Sequence, residues 1–517
     1  MDVVWLVPDG SEEPARGMWD QQVVEEAADR AFGPDVKHRH DLPDGDAVIV
    51  APGRAWAGRE DLLAGLAGGR QIVVTSDEER RLDAGRLPDG AIVQYVRGLG
   101  NGPTPWIRDH LNGPVERDVA VSFAGQDTHP ARHQCVQAVQ DAGGVVEASA
   151  GFTQGLPPDQ YAALLSRSQL VACPSGPVLP DTFRLYEAIE AGAVPILDQP
   201  NHHYWTGTWG EVPDVFAVDA WSDLPAMAGP LAAQADRLAV DAQSWWARTR
   251  RDLAWRLNPS DVGVTAVIPT SPTATDPDPT RTLDTIDSVL ERVPGCEILV
   301  YADGVRPEQA GRRAGYRRYL RALSEACQQS RRTVTVVTLD RWLHQACGLA
   351  AVISQVRTDL MLFVEHDTPL EGHVDLDELA KPVRAGLVDV VRLHPDTEIY
   401  SGHRHLMVGE PVTMAGVPLL RTVQWSQRPH LAPTGFYRQT VLPYFDGRSR
   451  TMIEDVMHSV VATAAEHEGW GRFRLAIYHP SGSIKRSGHT DGRGDDPKWP
   501  MSYRPADPSA PYAVRSA

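Results

Sequence analysis

A chain of 517 residues is too long for a single hydrophobic core and should divide into about two to four domains. Its 42% hydrophobic and 23% charged residues exclude a disordered protein, and a formal charge of -18 excludes general binding along a nucleic-acid backbone. A local basic pocket is still compatible with that charge, because net charge says nothing about one cleft.

Met1 and Asp2 lead straight into a strand-like run over 3–7, without the basic segment and longer apolar stretch of a secretory leader. No apolar run reaches the roughly 18 residues that a membrane span needs. Cys135, Cys173, Cys296, Cys327 and Cys347 are scattered, with no paired spacing. Together these features lead to the expectation of a cytoplasmic protein with reduced thiols.

Further along, strand patterns at 3–7, 47–51, 71–74 and 91–93 alternate with helical patterns at 19–30 and 60–67. A second alternating set has strands at 118–123, 170–173 and 194–197. The expected fold class is therefore α/β, with two small Rossmann-like lobes in series at 1–115 and 116–257. A helix rich in Ala, Leu and Trp over 231–257 closes this half, and Asn258-Pro259-Ser260-Asp261 reads as a linker because Pro259 disfavours helical geometry at Asn258. A third domain is expected over 258–517.

In this last domain, strand 264–270 runs into a loop and a helix near 282–292, and strand 297–301 delivers Ala302-Asp303-Gly304. Strand 359–364 delivers Glu365-His366-Asp367 at its tip, and Glu454-Asp455 and His479 follow downstream. Open α/β sheets bind ligands at the carboxyl ends of their strands, which is where Asp303 and the acidic triplet fall. Carboxylates clamping a divalent ion suit the departure of a nucleoside diphosphate, and a further carboxylate suits deprotonation of an acceptor hydroxyl. Oxygen ligands favour Mg²⁺ or Mn²⁺, and a histidine in the set favours Mn²⁺.

Over roughly 262–490 these motifs resemble the family 2 glycosyltransferases, which have the GT-A fold. The corresponding stretches are Ile268-Pro269-Thr270, Ala302-Asp303-Gly304, Glu365-His366-Asp367, Glu454-Asp455 and His479. The resemblance implies nucleotide-sugar contacts from Thr270, Asp303 and Glu365, and metal ligation by Asp367 with Glu365 and His479. It also implies Asp455 as the base of an inverting displacement, with Glu454 beside it. His489 competes with His479 for the ligand role. Ala302 and Glu365 each stand where the family usually has Asp.

In the first half the densest motif is Cys173-Pro174-Ser175-Gly176 followed by the run from Asp181 to Ile196. It reads as strand, loop, helix, turn, strand, with Asp181 or Thr182 as helix cap and Gly192 as terminator. Over about 116–200 it resembles the donor lobe of the exostosin-like glycosyltransferases, which have the GT-B fold. The resemblance implies donor contacts from Thr182, Arg184 and Glu187 without an obligatory metal, although Ser175 replaces a common arginine. The alternative reading takes Glu187 and Glu190 as ordinary solvent-facing helix residues. His202-His203-Tyr204-Trp205 with Trp209 would form either a sugar platform or ordinary loop packing.

The combined expectation is a bifunctional glycosyltransferase that moves sugars from nucleotide-sugar donors to a glycan or glycoconjugate acceptor. The alternative is one active GT-A module behind a non-catalytic, acceptor-binding first half. A metal-dependent phosphoesterase using Glu365, Asp367, His366 and His479 is a more distant reading.

Overall fold

The structure is a computed structural model that describes residues 2–6, 19–32, 36–39, 41–42, 44–52, 56, 58–67, 70–76, 86–87, 91–95, 107–111, 115–151, 154–176, 184–209, 212–257, 263–273, 276–293, 296–329, 334–394, 399, 401–445, 451–480 and 486–490. It divides into two compact units. The first comprises Met1–Ser260 with 320–336, and the second comprises Asp261–Tyr319 with Val337–Ala517.

The first unit holds two five-stranded sheets. In the first sheet β1 (Asp2–Trp5), β2 (Lys37–Arg39), β3 (Ala47–Pro52), β4 (Gln71–Ser76) and β5 (Ile92–Tyr95) lie in the order β2-β1-β3-β4-β5, all parallel. Helices α1 (Trp19–Phe32) and α2 (Glu60–Ala67) belong to the same stretch. The second sheet contains β6 (Val119–Gln126), β7 (Val145–Ser149), β8 (Ser168–Cys173), β9 (Val194–Asp198) and β10 (Ala217–Val218). Its order is β10-β9-β8-β6-β7, again all parallel. Counted from its own first strand, each sheet is thus ordered 2-1-3-4-5, and its strand order reverses between the first and third strands. Such reversal points are where doubly wound sheets open a ligand crevice.

The second sheet is interleaved with α3 (Pro130–Asp141), α4 (Pro158–Arg167), α5 (Arg184–Glu190) and α6 (Gln199–Trp209). Two helices follow, α7 (Leu224–Ala232) and α8 (Ala235–Leu257), where the sequence suggested one continuous helix from 231. Every residue of α5 is buried, so neither Glu187 nor Glu190 faces solvent. Tyr186 lies edge-on to Trp205 at 5.1 Å and against Trp246 at 4.6 Å. Trp205 is 1% exposed and therefore belongs to this core and not to a sugar platform.

The second unit carries a nine-stranded mixed sheet. Its elements are β11 (Val264–Thr270), α9 (Thr280–Arg292), β12 (Glu297–Ala302), α10 (Arg313–Gln329), β13 (Val334–Thr338), α11 (His344–Val352), β14 (Leu360–Phe363) and α12 (Leu376–Arg384). They continue with β15 (Val390–Arg392), β16 (Val412–Met414), β17 (Val417–Thr422), β18 (His430–Pro433), α13 (Ile453–Glu468) and β19 (Leu475–Tyr478). The strand order is β13-β12-β11-β14-β18-β15-β19-β17-β16. Strands β12, β11 and β14 run parallel, and β18 turns antiparallel against β14. Leu360, Met361, Leu362 and Phe363 are at most 1% exposed, as expected of a parallel strand covered on both faces. Burying each such side chain stabilises by about 1.5–3 kcal/mol, which makes β14 a rigid base for whatever follows it.

All five cysteines are buried, and none is in a disulfide. Among the described residues no helix is long and apolar enough to cross a membrane.

Candidate active site

Backbone pairing at the carboxyl ends of β11, β12 and β14 gathers the acidic motifs of the second unit. Thr270 is registered against Ala302, the Asp303 N–H donates to the Thr270 carbonyl at 2.9 Å, and the Val364 N–H donates to the Val267 carbonyl at 3.1 Å. The strand tips open on a cleft of about 400 Å³ whose walls include Thr270, Asp303, Trp342, Gln345, Glu365, Asp367 and His489.

Asp303 is 7% exposed, and its carboxylate accepts three backbone N–H bonds: from Gly304 at 2.9 Å, Leu343 at 2.7 Å and His344 at 2.9 Å. Burial pushes its pKa up, and these three bonds oppose that shift. Asp303 therefore fastens the loop after β13 to the end of β12, with only part of its acceptor capacity left for a ligand. The loop approaches so closely that a Cβ on Gly304 would lie 2.2 Å from the Arg341 carbonyl carbon. Thr270 is also engaged internally, since its hydroxyl and that of Thr282 each lie 2.8 Å from the Tyr319 hydroxyl.

The acidic triplet is held by its own backbone. The Thr368 N–H and hydroxyl both donate to the Glu365 carbonyl at 3.0 Å. Segment 486–490 runs alongside, with Gly488 N–H to the Pro369 carbonyl at 2.7 Å and Thr490 N–H to the Asp367 carbonyl at 2.8 Å. This pairing sets His489 Nε2 3.8 Å from Asp367 Oδ2. His479 instead follows the end of β19, its N–H bonded to the Pro418 carbonyl at 2.9 Å, and it does not line the cleft. Between the two candidate histidines, the neighbour of Asp367 is His489.

Glu365 is pushed up to about 8 by burial first, then by the charges of Asp367 and Glu454. A hard divalent cation at Asp367 would oppose the negative charge that acts on Glu365 and favour its ionised form. Among the described residues no three His, Cys, Asp or Glu side chains converge on one point, so a cation held by Asp367 and His489 would need ligand oxygens to complete its shell. His366 has a buried Nε2 with no hydrogen-bond partner among the described residues.

Gln345, which the motif reading overlooked, links the triplet to α13. Its side-chain NH₂ donates to Glu365 Oε1 at 3.0 Å, and its Oε1 accepts the Ile453 N–H at 2.9 Å. The second bond satisfies one of the amides that a helix leaves open in its first turn. His344 makes the turn into α11 with φ of 64°, and its Nδ1 accepts the Gln345 N–H at 2.9 Å. Burial and the Arg306 guanidinium hold His344 below the ordinary imidazole range, with Asp303 and Asp455 pulling the other way. Arg306 lies 4.8 Å from the Trp342 ring on the cleft wall.

Glu454 and Asp455 occupy the first turn of α13, where the helix dipole favours acidic side chains. Glu454 Oε2 accepts the Gln427 N–H at 3.0 Å. Asp455 is exposed and accepts the Thr451 hydroxyl at 3.3 Å, its one hydrogen-bond partner among the described residues, so its carboxylate is open to an incoming group. Neither residue lines the cleft wall itself.

The first unit treats its candidates differently. Arg184 is 5% exposed, its Nε donates to the Ala124 carbonyl at 2.8 Å, and its guanidinium lies 5.1 Å from the Phe123 ring. Glu187 is 7% exposed, accepts the Tyr161 hydroxyl at 2.7 Å, and is pushed up to about 7 by burial. Thr182 lies outside the described residues. At the ends of β8 and β9, Asp198 accepts the Ser175 N–H at 2.9 Å and the Ser175 hydroxyl at 2.5 Å.

No known family model matches the chain. No curated protein matches it either. Among solved structures, S. aureus TarS is 13% identical with a TM-score of 0.28, covering 43% of this chain and 36% of that one. Its 1–349 fragment in complex with UDP gives 13% identity and a TM-score of 0.27, covering 43% and 60%. The same fragment in complex with UDP-GlcNAc gives 13% and 0.26, covering 43% and 58%. The chain thus spans between roughly a third and three fifths of the length of these structures. A likeness this slight decides neither fold nor function.

Proposed function

We propose that the second unit is a nucleotide-sugar-dependent glycosyltransferase of GT-A type, acting by metal-assisted inverting displacement. One observation carries this reading. The carboxyl ends of three adjacent parallel strands bring Asp303, Glu365 and Asp367 to one cleft, and Gln345 ties that cleft to the helix bearing Glu454 and Asp455. In this reading Asp367 and His489 hold Mn²⁺ or Mg²⁺, with Glu365 as a further oxygen donor, and the diphosphate of the donor completes the shell. The cation supplies charge neutralisation for the departing nucleotide. Trp342 and Arg306 offer a stacking face and a positive charge on the nucleotide side. Asp455 takes the proton of the acceptor hydroxyl as the new glycosidic bond forms, and Glu454 and Gln345 keep its helix in place.

A second transfer step in the first unit, from an exostosin-like GT-B donor lobe, remains a separate reading. Two five-stranded sheets of order 2-1-3-4-5 in series favour it. The internal bonds of Arg184 and Glu187 favour the alternative, in which the first half only binds acceptor or glycan. Two variants divide these readings when sugar transfer is followed with a nucleotide-sugar panel and glycan acceptors. Asp455→Asn should lower turnover by about 10²–10⁴-fold, as expected for loss of a general base. Glu187→Ala should leave that step intact, and any second transfer that it abolishes would establish two enzymes. Unchanged turnover in Asp455→Asn refutes the proposed base.

A further inference from the structure

Where β15 ends, the second unit holds two guanidiniums that no described carboxylate meets in a direct ion pair. Arg392 closes β15, is 6% exposed, and is registered against His430 of β18. Its guanidinium has one neutral partner, donating from Nη2 to Gln424 Oε1 at 3.2 Å, while Nε is buried without a partner among the described residues. Arg392 makes no ion pair with a described carboxylate, and neither does the half-buried Arg428, whose guanidinium also makes no hydrogen bond among the described residues. Glu454 attracts Arg392 and Glu365 attracts Arg428 only across space, without direct contact, and a buried guanidinium that no anion meets directly is an unfavourable arrangement that a bound anion would relieve.

The loop between β17 and β18 fixes these groups in one place. The Leu393 N–H donates to the Pro429 carbonyl at 2.7 Å, joining the loop to the end of β15. The Gln427 N–H donates to Glu454, and His458 Nδ1 lies 3.4 Å from the Trp425 carbonyl, joining it to α13. Gln427 is 2% exposed, yet both its amide oxygen and its amide nitrogen lack partners among the described residues. A buried amide with neither end satisfied, in the same loop as Arg428, is an independent sign of a missing ligand.

We propose that Arg392, Arg428 and the Gln427 amide form an oxyanion subsite, and that the acceptor carries a phosphate-class group that docks there. The proposal rests on the glycosyl-transfer reading and specifies the acceptor of that site. Two guanidinium forks and an amide N–H₂ offer more donors than the two oxygens of a carboxylate can use, whereas a phosphate ester has enough acceptor oxygens for all three. The position favours the acceptor over the donor. None of the three residues lines the nucleotide cleft, and Gln427 is bonded directly to Glu454, beside the proposed base.

The test is calorimetric titration of the full chain with inorganic phosphate at constant ionic strength, with a nucleoside diphosphate panel plus Mn²⁺ titrated separately. Wild type should bind phosphate saturably, and Arg428→Gln should weaken that binding by about tenfold or more, the loss expected for a charge-assisted bond. Because Arg428 is half-buried, this variant is chosen over one at Arg392, whose loss could unfold the site. Arg306→Gln, on the cleft wall, should leave phosphate binding unchanged. Absence of saturable phosphate binding, or equal binding in Arg428→Gln, overturns the subsite. Displacement of the phosphate by a nucleoside diphosphate also overturns it, since the anion would then occupy the donor's position. The two titrations report separately: the phosphate series reads the subsite, and the nucleotide series reads the glycosyl-transfer site.

Discussion

Gln345 shows how a neutral side chain can organise an acidic site. It is 7% exposed, donates to Glu365 and caps the first open amide of α13, so it holds the triplet and the proposed base in one frame. A Gln345→Leu substitution leaves Glu365 Oε1 and the Ile453 N–H without these partners. The expected cost is about 1–3 kcal/mol of stability, measured by denaturant unfolding. If Gln345 positions the base and does not bind donor, turnover should fall by about tenfold or more while the KM for the donor changes less than about twofold. A rise in KM with unchanged turnover would place Gln345 in donor binding instead. Nothing in the sequence singles out this residue: it stands 20 positions before Glu365 and 108 before Ile453, and only the folded chain brings the three together. The same holds for His489, which reaches Asp367 through backbone pairing between 486–490 and 367–371.

At the scale of elements, the buried helix α5 offers a pH signature. Glu187 is held near 7 in the folded chain, above the roughly 4.5 of an exposed glutamate, because burial outweighs the Tyr161 hydrogen bond and the Arg184 charge. A raised carboxyl pKa means that the folded state holds the proton more tightly than the unfolded one. Its contribution to stability is therefore full below about pH 4.5 and is lost as pH rises through about 7. The span corresponds to on the order of 3 kcal/mol. Glu187→Gln should flatten the decline in melting temperature between these limits relative to wild type, and parallel pH curves would contradict the assignment. The central strands were legible because β14 and its neighbours are short, continuous apolar runs, the mark of parallel strands buried on both faces. Less legible were β7, at a sheet edge with an exposed pattern, and the three-residue strands β15 and β16, which depend on their partners for recognition. The β-branched run of β13 did carry a readable signal, and it precedes the loop that supplies Trp342, His344 and Gln345. The expected helix over 231–257 divides near Ala233, just after Gly229 and Pro230 in the last turn of the first helix.

At the scale of the whole molecule, acidic net charge and a locally basic acceptor side coexist without conflict. The -18 charge is a sum over the entire chain, while Arg392 and Arg428 are two charges at one place in the second unit. Asp303, Glu365 and Asp367 could be located from sequence because each follows a recognisable strand, whereas their partners arise from tertiary pairing. Arg184 and Glu187 were readable as a motif, but their burial and internal bonds were not, since sequence does not reveal which face of a short helix is covered. Donor binding at the strand tips of the second unit is what the proposed glycosyl transfer requires first. Its most direct test is a thermal-shift screen of nucleotide sugars against wild type and Asp367→Asn, with and without Mn²⁺. The expected result is at least one nucleotide sugar that stabilises wild type only when Mn²⁺ is present and loses that effect in Asp367→Asn. No stabilisation by any nucleotide sugar, or an equal metal-dependent shift in Asp367→Asn, would contradict it.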